Sequence, residues 1–189
     1  ILGFTMIRKA KGSRMLLLFG IMAVTLGLGD AFHLVPRAYA LCTDGLAAHT
    51  TALGIGKFIT SITMTIFYLL LFHIWELRYN RHSPLLRTGM YLLAFFRIAL
   101  CFFPQNAWTS PDAPLFWGIL RNVPFAMMGL WIIVLFYQQA RQKEDFIFRY
   151  MWLAITLSFL FYIPVVLWAD TMPMIGMLMI PKTLAYVWV

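Results

Sequence analysis

Asp30, His33 and Arg37 follow an apolar run from Met15 to Gly29 and stand three and four residues apart. On a helix that spacing puts an acid, an imidazole and a guanidinium on one face. A carboxyl bounded by apolar side chains is suited to general acid or base work. The plainer use of Asp30 is to cap a following helix. For His33 the plainer use is a hydrogen bond to backbone at a membrane boundary. Pro36 disfavours helical geometry at Val35, so the helix is expected to end there and Arg37 to leave the face.

Three more bases stand inside apolar runs: Arg97, Arg121 and Lys182. Each costs about 2.5–3.5 kcal/mol at a helix centre on insertion scales, so each should face a polar interior. Lys57, Asn122 and Asp170 fall at a similar depth. Two readings fit this gathering of polar groups. In one, Asp30 and Asp170 neutralise two of the bases and snorkelling of long side chains handles the rest. In the other, Lys57, Arg97, Arg121, Asn122 and Lys182 line a cationic cavity that takes a phosphate headgroup or another anion, with Asp30, His33 and Asp170 available for chemistry.

The elements that must position these groups are membrane helices. Of 189 residues 62% are hydrophobic and 12% charged, against about 25% charged in an average soluble domain. The apolar residues come in unbroken runs such as Tyr150–Ala169, which holds no charge. About 20 apolar residues cross the hydrocarbon as a helix, and backbone in lipid must satisfy its own hydrogen bonds. The alternation of a β-barrel is absent. The expectation is an all-α, polytopic transmembrane helical bundle, one integral membrane domain over 1–189. Six spans are expected, at about 15–35, 57–75, 86–103, 115–137, 148–169 and 171–189.

Ala38–Gly56 reads as a small-residue re-entrant or interfacial segment. Ile1–Ile7 reads either as the tail of an earlier span or as a short N-terminus, and the last span reaches Val189 without a basic stop. The chain is therefore read as a fragment of a longer one. A secretory signal is disfavoured because Asp30, His33 and Arg37 separate the apolar core from Ala38-Tyr39-Ala40.

Orientation follows from Lys and Arg. Arg8, Lys9, Lys11 and Arg14, then Arg78, Arg81 and Arg87, then Arg141, Lys143 and Arg149 fall on alternate loops. The intervening loops hold Arg37 and Lys57 alone. The N-terminus is expected in the cytoplasm. The net charge of +8 is thus punctuation between spans, and no nucleic acid is expected as a partner.

No zinc-like spacing links His33, His49, His73 and His82, so no metal and no cofactor are expected. Neither Cys42 nor Cys101 has an adjacent His, and two free thiols are favoured over a disulfide. A Schiff base on Lys182 lacks supporting residues.

Two stretches resemble a known family. Leu26-Gly27-Leu28-Gly29-Asp30 with Leu34-Val35-Pro36-Arg37, and Ile55-Gly56-Lys57-Phe58-Ile59-Thr60-Ser61 with Tyr68, resemble the YhhN family of lysoplasmalogenases over about Leu16–Tyr68. The resemblance implies a bundle of about eight spans that hydrolyses the vinyl-ether bond of a lysoplasmalogen, with Asp30 as the carboxylate of a Gly-Asp motif. Ile62 stands where the family carries a histidine. Gly176–Lys182 stands where the family carries a second Asp, which leaves Asp170 as the other carboxylate. The expected partner is a membrane lipid, with an anionic lipid or small anion as ligand. Three functions follow: a lipid hydrolase, a transporter or binding protein for a small anionic solute, and a structural or regulatory membrane protein whose polar residues join helices.

Overall fold

A computed structural model of the chain describes residues 1–111, 113–142, 147–168 and 172–188. Asp112, Lys143 and Asp170 lie outside the described residues. The described residues are helical, with no strand among them, and five helices are long and apolar enough to cross a membrane. The chain divides into two compact units, Ile1–Trp117 and Gly118–Val189.

Unit 1 begins with the short helix α1 (Leu2–Lys9), which turns through Lys11 and Gly12 into α2 (Arg14–Cys42). The Ser13 hydroxyl accepts the Leu16 N–H at 3.4 Å and marks the start of α2. α1 lies against α2 because both present glycine. A Cβ on Gly20 would stand 2.9 Å from the Gly3 carbonyl and 3.0 Å from the Ile7 nitrogen. Gly20→Leu is therefore expected to detach α1. Hydrogen exchange of the Leu2–Lys9 amides should accelerate about tenfold or more, as an overpacking cost of about 1–3 kcal/mol implies. Exchange where α2 meets the next helix should stay unchanged.

α2 does not end at Val35. It runs on through Pro36 to Cys42, as membrane helices do when neighbouring groups absorb the missing donor. Proline has no N–H, so the Phe32 carbonyl loses its usual partner four residues on. The Thr43 hydroxyl donates to the Tyr39 carbonyl at 2.9 Å and closes the end of α2. The small-residue stretch after it is no separate re-entrant helix. It comprises the end of α2, a positive-φ turn at Gly45, a 3-10 turn at Leu46–His49 and the start of α3 (Thr50–Tyr79).

α3 is the central helix of unit 1: half of its apolar window is buried, against 22% for α2 and for α4. Phe67, Tyr68, Leu71, Phe72 and Ile74 on α3 are essentially inaccessible. Its closest neighbour is α2, running antiparallel. The Thr60 hydroxyl donates to the Gly29 carbonyl at 2.9 Å, and one turn away the Cβ position of Gly56 is occupied by the Phe32 carbonyl oxygen. Small residues at such a seam let two backbones touch. The carbonyl that Pro36 leaves without a helical donor is thus the one pressed onto the Gly56 backbone, a setting for a Cα–H···O contact.

α3 ends at Asn80, which takes the left-handed conformation at φ 48° while its N–H donates to the Glu76 carbonyl. Asn is one of the residues that tolerate this cap. Ser83 and Pro84 then open α4 (Pro84–Cys101), proline being suited to the first turn. Its far end is closed by side chains. Asn106 Nδ2 donates to the carbonyls of Leu100 and Phe103 at 2.7 and 2.9 Å, and Trp108 Nε1 donates to that of Cys101 at 2.9 Å.

α5 (Leu115–Gln142) leads into unit 2 and continues through Pro124. α6 (Met151–Trp168) packs on it where Gly129 faces the Phe159 ring, with Phe125 beside Phe159 at 5.3 Å. The expected sixth span is not one continuous helix. A 3-10 turn at Pro173–Leu178 precedes α7 (Met179–Trp188), which has only ten residues. Pro173 opens the 3-10 turn and Pro181 falls in the first turn of α7, positions where the missing N–H costs a helix least.

Candidate functional site

Unit 1 brings three of the expected site residues to one level. Asp30 and His33 on α2 are 9% and 6% exposed, on the side that meets α3. Gly29, beside Asp30, is tied to Thr60. The His33 Cα stands 3.1 Å from the Cβ position of Gly56. Arg97 reaches the same turn of α3 from α4: its Nε donates to the Ser61 carbonyl at 3.4 Å, and the residue is 1% exposed. The same carbonyl accepts the Thr65 hydroxyl at 2.8 Å. The Thr60–Ser61 turn therefore carries α2, with its acid and imidazole, on one residue and the guanidinium of α4 on the next. Because α2 stays helical, Arg37 remains on the face of Asp30 and His33, one turn beyond. Lys57, one turn from Ser61, is exposed.

A carboxyl, an imidazole and a guanidinium at one apolar depth can do two things. The first pair can move a proton, and the guanidinium can hold a planar anion with several donors.

The remaining expected residues belong to unit 2. Asn122 Nδ2 donates to the Gly118 carbonyl at 2.8 Å, while its Oδ1 accepts the Tyr162 hydroxyl at 2.9 Å. Lys182, 2% exposed on α7, sets its ammonium 4.8 Å from the centre of the Tyr162 ring. That is cation–π distance, a way to keep a buried base compatible with apolar surroundings. Arg121, next to Asn122, is half-buried. One turn before Tyr162 lies Ser158, fully buried, its hydroxyl without a hydrogen-bond partner. One polar cluster is thus described in each unit.

Two sets of polar residues escape a reading of single positions. Tyr162 is one; an aromatic hydroxyl midway along an apolar run was its signal. The other is a network where α3 leaves the apolar zone. Glu76, only 2% exposed, accepts Arg87 in forked fashion, NH2 at 3.0 Å from Oε1 and 3.2 Å from Oε2, with Nε at 3.3 Å. His73 Nδ1 lies 3.0 Å from Oε2, and its Nε2 lies 2.9 Å from the Tyr91 hydroxyl. The signal here was an imidazole inside an apolar run with an acid three residues on.

Cys42 and Cys101 are both free thiols, the first exposed and the second buried. No protein-family model, no curated protein and no solved structure matches the chain.

Proposed function

We propose that this multi-pass membrane protein binds an anionic lipid at the Asp30–His33–Arg97 level of unit 1 and hydrolyses it as a lysoplasmalogenase does. The observation that carries the proposal is the burial of an acid, an imidazole and a guanidinium around one turn of α3, Thr60–Ser61. Intramembrane ionisable groups mark sites more often than they serve packing. In this reading Arg97 holds the phosphate, Asp30 protonates the vinyl ether or activates water, and His33 shares the proton. The basic helix ends face the cytoplasm.

Purified protein in detergent, given a lysoplasmalogen, is expected to release a long-chain aldehyde. Asp30→Asn should lower that release at least about 100-fold, the low end of what a positioned acid contributes. Absence of aldehyde from the unaltered protein would sink the hydrolytic reading.

The buried guanidinium of Arg97 also suits a second reading, in which it passes a small anion without chemistry. Anion flux into proteoliposomes that falls on Arg97→Gln, with no aldehyde formed, would select it. A loss of stability on the same substitutions with neither flux nor hydrolysis would leave helix packing as their role.

A further inference from the structure

The network at the end of α3 lies apart from the anion site and does not depend on it. Glu76 is a buried carboxylate whose needs Arg87 alone could meet, because the guanidinium already engages both oxygens. An imidazole on Oε2 is superfluous for that ion pair. What it adds is a continuous hydrogen-bonded path from the buried Glu76 (2% exposed) through His73 to Tyr91, which is 47% exposed. Tyr91 is seven residues into α4, about 10 Å along the helix axis from Pro84. That is the interfacial depth at which tyrosine hydroxyls meet water.

The donors and acceptors are dictated by chemistry. An ionised carboxylate only accepts, so Nδ1 carries the proton toward Glu76. In the neutral imidazole Nε2 must then accept, and Tyr91 donates its O–H.

We propose that Tyr91, His73 and Glu76 form a proton relay, a site that takes up one proton from the polar interface and holds it on His73. Uptake proceeds along the path with nothing oxidised or reduced. The Tyr91 proton passes to Nε2, forming N–H and breaking O–H. A hydronium ion gives a new proton to the phenol oxygen and departs as water. The site then holds an imidazolium that donates to Glu76 from Nδ1 and to Tyr91 from Nε2, and the phenol O–H points outward. Reversal releases the proton by the same atoms. With the site loaded, Glu76 serves two cations, His73 from its own helix and Arg87 from α4.

The relay sits among known charges. Arg87 NH2 also lies 3.5 Å from His82 Nδ1 in the connecting turn. Arg78 and Arg81 flank the end of α3. Because α2 runs antiparallel to α3 and α1 antiparallel to α2, Arg14, Lys11, Lys9 and Arg8 fall at this same end of unit 1. Glu76 is the only acid in these stretches.

The test is nuclear magnetic resonance of the chain in lipid nanodiscs, with labelled histidine and tyrosine side chains, from pH 5 to pH 8, the range in which imidazoles charge. The expected result is that the His73 ring nitrogens and the Tyr91 phenol carbon move together with one midpoint. His73→Asn should abolish the movement of Tyr91. Tyr91→Phe removes only a half-exposed hydroxyl and should erase the hydrogen-bond shift on Nε2 while the helices stay intact. A stationary Tyr91 signal would overturn the relay. So would movement of Tyr91 that survives His73→Asn, or an Nε2 shift identical in Tyr91→Phe.

Discussion

Alanine at Gly56 is expected to destabilise unit 1 by about 1–3 kcal/mol, the range for overpacking a tight contact. Alanine at Gly27 should stabilise it by up to about 1 kcal/mol. Both glycines are helical, and both exchanges improve intrinsic helix propensity equally. The difference lies in what a methyl group meets. At Gly27 there is nothing within 4 Å, whereas at Gly56 the Phe32 carbonyl occupies the Cβ position and the His33 Cα stands 3.1 Å away. Those are backbone atoms, which cannot swing aside as a side chain can. To admit the methyl, α2 must back off from α3, and the Thr60–Gly29 hydrogen bond of 2.9 Å stretches with it. Thermal unfolding of the two variants in the same detergent checks the prediction, and equal melting temperatures would refute it. Because Asp30 and His33 ride on this seam, Gly56→Ala should also reduce whatever turnover or ligand binding the Asp30 level supports.

Arg87→Ala is expected to be far more damaging than Glu76→Gln, although both break the same ion pair. Glu76 is buried and Arg87 half exposed, the side chains being 3% and 46% accessible. Removing the guanidinium strands a buried carboxylate with the His73 imidazole still beside it, a loss of about 3 kcal/mol, at the low end of the cost of orphaning a buried charge. Removing the carboxylate's charge leaves an arginine that can turn its head to water along its own flexible stem. That change should cost about 1 kcal/mol, an ordinary hydrogen-bond loss. Chemical denaturation of both variants measures the asymmetry, and equal losses would mean that Glu76 reaches water.

Much of the helical layout was legible because lipid leaves the backbone so little choice. The runs around Met15, Phe58, Leu86, Leu115 and Tyr150 each became a helix near its expected position. The errors lie where local rules meet tertiary packing. Pro36 reads as a terminator, yet α2 runs on through it with the Phe32 carbonyl set against Gly56 of α3, which no local pattern records. Thr171–Val189 reads as a span by composition, but a 3-10 turn and the ten-residue α7 stand there. Of the candidate site, Asp30, His33 and Arg97 could be picked out as charges in an apolar setting. Their shared level depends on the Gly29–Gly56 seam, which is set by where two helices touch. The Glu76–Arg87 pair was hidden for another reason: its members flank a turn, and charges at turns read as solvated punctuation.

The contacts that define unit 1 are also nested in time. Gly3 meets Gly20, Gly29 meets Thr60, and Glu76 meets Arg87, each link joining a helix to the one just before it. Arg97 reaches back to Ser61. A chain emerging from its N-terminus can therefore dock every new helix on a partner already in place, with short loops to close. Arg97 enters the membrane after the Ser61 carbonyl that receives it. That buried charge never has to wait in lipid for this acceptor to be made.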